Sequence, residues 1–142
     1  MTKIDYTRTD EALPPSNAYG LAAGADLSAA EDFELGPGER TRVRTGIAIA
    51  IPGDCVGIIA PRSGLASRMG ITVINSPGII DPDYRGEIEI ALVNLSNSIY
   101  LGRKGDRIAQ LLIMPIVRPE YIEVDELPVT TRGIRGFGSS GK

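Results

Sequence analysis

Apolar and polar positions alternate along most of this chain, and the period is two. Ile47, Ile49 and Ile51 alternate with Ala48 and Ala50, and Ile88, Ile90 and Leu92 keep the same spacing. Thr41, Val43 and Thr45 alternate with Arg40, Arg42 and Arg44. Successive strand side chains point to opposite faces, so each stretch predicts a strand with one face toward a core. Further strands are expected over 4–8, 25–28, 55–60, 71–75, 87–94, 99–101, 107–117 and 121–124, with Leu27 facing opposite to Asp26. Pro115 cannot donate to a ladder, which puts the last long run at a sheet edge or bulge. Gly36-Pro37-Gly38, Pro52-Gly53 and Ser76-Pro77-Gly78 mark turns, and residues 13–24 have loop composition. One short helix is expected over 65–68, capped by Ser63 and closed by Gly70. Many short strands at roughly twelve-residue spacing, without βαβ alternation, predict an all-β antiparallel barrel or sandwich.

Composition narrows the chemistry. The 142 residues suit one domain able to close a core without staples. A net charge of -3 and a pI near 5.0 argue against a general nucleic-acid or membrane binder. No apolar run reaches spanning length and no leader is read at the start, so the expected location is cytoplasmic. Cys55 is the sole cysteine, which rules out an internal disulfide or a cysteine cluster within one chain; it is expected to be a buried small hydrophobe. Histidine is absent, so a hydrolase would work through Asp or Glu, with a hard cation as the expected metal. Asn94-Leu95-Ser96 matches a glycosylation acceptor but is read as a turn.

Three stretches carry candidate chemistry. Gly78-Ile79-Ile80-Asp81-Pro82-Asp83-Tyr84-Arg85-Gly86-Glu87 places carboxylates, a ring and an arginine on a glycine-flanked turn attached to a core strand. Pro82 holds Asp81 extended, which makes Asp81 the candidate base; a structural turn carboxylate is the alternative. In Pro61-Arg62-Ser63-Gly64-Leu65, amides, a hydroxyl and a guanidinium could meet phosphate oxygens, or Ser63 could simply cap the helix beside a solvent-facing arginine. The three arginines at 40, 42 and 44 coat a solvated face or line an interface or charged channel. In the tail, Arg132, Arg135 and Phe137 sit among glycines and serines, as in a disordered linker or an arm that closes on a ligand. No P-loop, dinucleotide fingerprint or His-Glu-x-x-His motif occurs.

With Ala23-Gly24-Ala25-Asp26-Leu27 and Gly105-Asp106-Arg107-Ile108-Ala109-Gln110-Leu111 added, these stretches form five motifs in order. The chain resembles the homotrimeric dUTP nucleotidohydrolases (dUTP diphosphatases) over nearly its whole length. One departure stands in the fifth motif, where Arg135 replaces the first glycine of a Gly-Gly pair. The resemblance implies a distorted jelly-roll-like β core over 1–124 with one short helix, and a C-terminal arm over 125–142. It implies a homotrimer whose active sites are shared between subunits.

The activity implied is hydrolysis of dUTP to dUMP and diphosphate, with water attacking the α-phosphorus. It would limit uracil incorporation into DNA and supply dUMP for dTMP synthesis. Asp81 is implied as the base that orients and deprotonates the water, and Mg²⁺ as the cofactor across the phosphates. Asp26 would contact the ion through water. Arg62, Ser63, Gly64 and Gln110 would hold phosphates, and Arg132, Gly138, Ser139 and Ser140 would close over them. Phe137 would cover uracil, and Tyr84 would wall off a ribose 2'-OH. Asn75, Gly78 and Ile80 belong to the hairpin whose backbone would pair with the base. No nucleic-acid or membrane partner is implied. A dCTP deaminase sharing the fold and a catalytically silent β trimer are the competing readings, the first set aside by the intact Asp81 pattern and the arm.

Overall fold

The computed structural model describes residues 3–136. In chain order the strands are β1 (Asp5–Arg8), β2 (Ala25–Ser28), β3 (Phe33–Leu35), β4 (Arg40–Arg44), β5 (Ile47–Ala50) and β6 (Cys55–Ala60). Helix α1 (Ser63–Met69) follows, then β7 (Ile71–Val73), β8 (Gly78–Ile80), β9 (Glu89–Asn94), β10 (Tyr100–Gly102) and β11 (Arg107–Pro115). One sheet runs β2-β11-β6-β8, a second β4-β9-β7, and two ribbons join β1 to β5 and β10 to β3. Every pairing is antiparallel. Leu27, Ile59 and Leu111 from the first sheet meet Val43, Ile71, Val73, Ile90 and Leu92 from the second in one core. The result is a distorted, jelly-roll-like sandwich with one short helix.

The period-two reading places the core correctly. In β5, Ile47 and Ile49 are buried between half-buried alanines, and in β4 only Val43 is buried. The three arginines of β4 are exposed, and two of them pair across to the neighbouring stretch as Arg42–Glu89 and Arg44–Glu87, at 3.2 and 3.0 Å. Two buried polar residues are fully satisfied, so they fix register without stranding a donor. The Thr45 hydroxyl donates to the Ile88 carbonyl at 2.6 Å. The Asn94 amide donates to the Leu35 and Ser98 carbonyls, both at 2.8 Å, and its oxygen accepts from the Ser96 N–H and hydroxyl. Asn94 is therefore a buried strand-end residue that organises the next turn.

Several expectations need correction. The stretch 121–124 forms no strand and is exposed, and the last strand ends at Pro115, paired with Cys55. Ser63 is not the helix cap: Arg62 occupies that position in extended conformation, without a side-chain cap bond, and Ser63 is the first helical residue. The expected C-terminus is correct, with Gly70 left-handed (φ 69°) and its N–H bonded to the Leu65 and Ala66 carbonyls. Asp26 and Leu27 lie on opposite faces of β2, yet both are buried. Cys55 is half-buried rather than buried, and its thiol is pushed up by desolvation and by the Asp54 carboxylate.

Candidate active site

The Asp81 hairpin is built from two anchors. On one side β8 pairs with β6, setting Gly57 opposite Ile80 and Ile59 opposite Gly78. Gly57 is needed there, because a Cβ would meet Ile51 at 2.7 Å and Ile80 at 3.0 Å. Asp81 leaves this strand directly into Pro82, so its backbone is restrained from both directions. The tip is cross-braced: the Tyr84 N–H donates to the Asp81 carbonyl at 3.1 Å, and Arg85 Nη1 donates to the carbonyls of Pro82 at 2.6 Å and Tyr84 at 2.9 Å. The Tyr84 hydroxyl donates to the Glu87 carbonyl at 2.9 Å. Gly86 permits this fold-back, since any Cβ there would overlap the Tyr84 ring.

On the other side Glu87 is clamped. Its carboxylate accepts from Arg44 Nε and Nη2, and from the Gly46 N–H at 2.8 Å. Burial would raise this carboxyl, but the Arg44 and Gly46 bonds outweigh it and hold the group below the ordinary carboxylate range. Between the hairpin and the β4–β9 sheet lies a cavity of about 290 Å³, bordered by Asn75, Ile80, Asp81 and Tyr84. Asp81 is exposed at its rim. A second, more open cavity of about 690 Å³ lies along Asp81, Asp83, Arg85 and Arg118.

A separate cavity of about 420 Å³ gathers Asp26, Arg62, Ser63, Gly64, Arg68 and Gln110. Asp26, on β2, is the pivot: Oδ1 accepts from Arg62 Nε at 2.8 Å and Oδ2 from Arg107 Nη1 at 3.2 Å. Arg62 Nη1 also donates to the Arg107 carbonyl. Among the described residues, three of the guanidinium's five N–H groups have no partner and can meet an anion. Gln110, opposite Ala60 on β6 and Asp26 on β2, donates to the Pro61 carbonyl at 3.0 Å and bridges strand and helix start. Gly24 leaves room for it, because a Cβ there would meet Gln110 Oε1 at 2.9 Å.

The structure thus brings Asn75, Ile80, Asp81 and Tyr84 to one cavity and Asp26, Arg62, Ser63, Gly64 and Gln110 to another. Gly78 is buried in β8 and supports the first group from below. Arg132 is exposed and bonds within its own segment, its Nε donating to the Arg135 carbonyl at 2.9 Å. Phe137, Gly138, Ser139 and Ser140 lie outside the described residues. Arg68 was missed by the sequence reading. Its guanidinium lies over Gly64, where a Cβ would meet Nη2 at 2.8 Å. The signal was the four-residue helical spacing of Gly64 and Arg68.

A family model described as dUTPase matches residues 10–141. The deoxyuridine 5'-triphosphate nucleotidohydrolase of Mycolicibacterium gilvum is 53% identical over 148 residues, covering 99% of this chain and 96% of the relative. The enzyme of the same name from Mycobacterium tuberculosis H37Rv is 50% identical over 147 residues, with the same coverage. Among solved structures, a variant dUTPase of phage 80alpha superposes with a TM-score of 0.91 at 30% identity, covering 97% of this chain and 98% of its own. A Staphylococcus bacteriophage 80alpha dUTPase solved with dUpNHpp gives 0.88 at 29% identity, covering all of both chains. A dUTPase from phage phi11 of S. aureus, described with a structural Mg(II) ion, gives 0.81 at 27%, covering 88% of this chain and 98% of its own. With matches of this extent in sequence and fold, the chain belongs to the dUTPase family.

Proposed function

We propose that this protein hydrolyses dUTP to dUMP and diphosphate by attack of water at the α-phosphorus. The observation that carries the reading is the hairpin, where an exposed carboxylate and a braced aromatic ring share one small cavity. Asp81 orients the water and accepts its proton as attack proceeds. Tyr84 packs against the deoxyribose and leaves no room for a 2'-OH. Backbone groups along residues 75–84 pair with uracil and oppose the amino donor of cytosine, a mismatch that leaves polar groups unpaired. Arg62, the Ser63 and Gly64 amides, and Gln110 hold the phosphates, and Arg132 with residues 137–140 closes over them.

Catalytic and phosphate groups line two cavities that share none of the described residues. This separation supports a homotrimer in which one subunit's hairpin faces another's phosphate cavity and a third contributes the arm. The donor chemistry also fits Mg²⁺ carried by the nucleotide. Among the described residues no three acidic, Cys or His groups cluster, so the protein offers no cage of direct ligands. Asp26 has one bond on each oxygen and spare lone pairs for metal-bound water. Mg²⁺ bound there would neutralise phosphate charge and hold the chain of phosphates in line. Acting on dUTP, the protein would limit uracil incorporation into DNA and supply dUMP for dTMP synthesis. No helix of the described residues is long and apolar enough to cross a membrane, and we place the activity in the cytoplasm.

The test is product analysis with each deoxynucleoside triphosphate and with UTP, with and without Mg²⁺. Diphosphate should appear from dUTP alone, and Asp81→Asn should lower turnover by roughly 10²–10⁴-fold while dUTP still binds. Unchanged turnover in that variant would remove Asp81 from its role. Ammonia released from dCTP would favour a deaminase instead.

A further inference from the structure

The Tyr84 ring folds back over the Gly86 backbone and is tethered by its hydroxyl. It is 44% exposed, its neighbour Gly86 has no side chain, and the hydroxyl's bond is to the Glu87 carbonyl. The ring's position therefore follows the Gly86–Glu87 backbone. Glu87 is in turn held to the corner between β4 and β5, with Arg44 supplying a guanidinium fork and Gly46 an N–H to its carboxylate. Directly after it, the Ile88 N–H donates to the Ile47 carbonyl at 2.8 Å and the Ile88 carbonyl accepts from Thr45. The corner itself is stiff. Gly46 has φ 67°, and a Cβ there would meet Ala12 at 2.6 Å. A rigid relay thus runs from the β4–β5 corner through Glu87 to the phenol oxygen.

We propose that Arg44 and Glu87 are positioning residues for sugar selection, fixing the carbonyl that holds the Tyr84 hydroxyl and so the distance between ring and sugar. The inference rests on the reading of Tyr84 as the wall against a 2'-OH. Deoxyribose and ribose differ there by one oxygen atom, so a ring freed to move by about 1 Å admits what a fixed ring rejects. Turnover of dUTP, which needs only contact with the ring's face, suffers less than discrimination does. A merely structural clamp would lower stability and act alike on both nucleotides.

The experiment compares kcat/KM for dUTP and UTP in the full-length protein. Glu87→Gln weakens the clamp, Arg44→Lys keeps the charge but loses the fork, and Tyr84→Phe keeps the ring but cuts the last link. Each should lower the dUTP-to-UTP ratio roughly tenfold, chiefly by raising the UTP value. Tyr84→Phe combined with Glu87→Gln should lower it no further than either alone, because both act on one relay. Glu39→Gln serves as the control. It weakens a carboxylate–amide bond to Gly36 at the β3–β4 turn and should leave the ratio unchanged. Tyr84→Ala separates the two failures. If it leaves the ratio intact, Tyr84 is not the wall and the underlying reading falls. If it relaxes the ratio while Arg44→Lys and Tyr84→Phe do not, the relay is refuted and the wall stands. Should Glu87→Gln fail to fold, those two variants carry the same decision.

Discussion

Asp26→Asn is the substitution whose effect the structure sizes most directly. The side chain is 9% exposed and lies between Arg62 and Arg107, whose side chains are 27% and 50% exposed. Asparagine keeps the volume and one acceptor, so Arg62 Nε retains a partner. It replaces the other oxygen with an amino group facing Arg107 Nη1, donor against donor. Removing one member of a fully buried pair costs about 3–5 kcal/mol. Here water reaches both guanidiniums, which leaves an expected loss of about 2 kcal/mol. For a chain of this size that lowers Tm by about 6 °C. Scanning calorimetry reads it, and combining the change with Arg107→Gln gives the coupling, expected at about 1 kcal/mol. High salt should leave the loss in place, since a desolvated carboxylate is poorly screened, whereas the exposed Asp32–Arg103 pair should respond to salt. With Arg62 less firmly held, KM for dUTP should also rise. A Tm within about 1 °C of the parent would show that the cluster is solvated and that its geometry contributes no net stability.

Further outcomes can be checked with the same protein. Deleting residues 132–142 should leave Tm unchanged within about 1 °C, because residues 132–136 are exposed, while dUTP hydrolysis falls; a full rate would refute the closing arm. The carboxyl of Glu87, held below its ordinary value of 4.5, contributes stability that is present above that pH and lost as pH falls through the depressed folded value. The Tm gap between the parent and Glu87→Gln should therefore be constant near neutrality and shrink in acid; a gap independent of pH would rule out the ionised clamp. Gly57→Ala should cost about 1–3 kcal/mol by overpacking against Ile51 and Ile80, and should slow turnover because Ile80 carries Asp81.

Much of this architecture was readable from period-two alternation. Ile47, Ile49, Ile90 and Leu92 are core residues because one-faced burial leaves that imprint in any strand. Phe33–Leu35 was overlooked because three residues carry no measurable period, and its partner Tyr100–Gly102 lies far along the chain. Gly78–Ile80 reads as turn because Pro77 and Pro82 flank it, yet pairing with β6 makes it a strand. The stretch 121–124 alternates as a strand should but pairs with nothing among the described residues. Local pattern reports which residues suit an extended conformation, and pairing needs a partner that pattern does not name. The site divides the same way. Asp81, Tyr84 and Arg62 stand out by type and spacing and Gln110 only through the resemblance, whereas Arg44 on Glu87 and Arg107 on Asp26 are contacts across 43 and 81 positions that only the folded chain creates.

The two cavities, which have none of the described residues in common, carry a genetic consequence. If each working centre draws its aspartate hairpin and its guanidinium from different chains, two defective proteins can repair one another. Asp81→Asn and Arg62→Ala variants, each inert, would be mixed, dissociated and reassembled. Roughly one centre in four would then receive an intact hairpin from one parent and an intact phosphate cradle from the other. Complementation between two dead alleles would thus appear in a test tube, and in any cell expressing both.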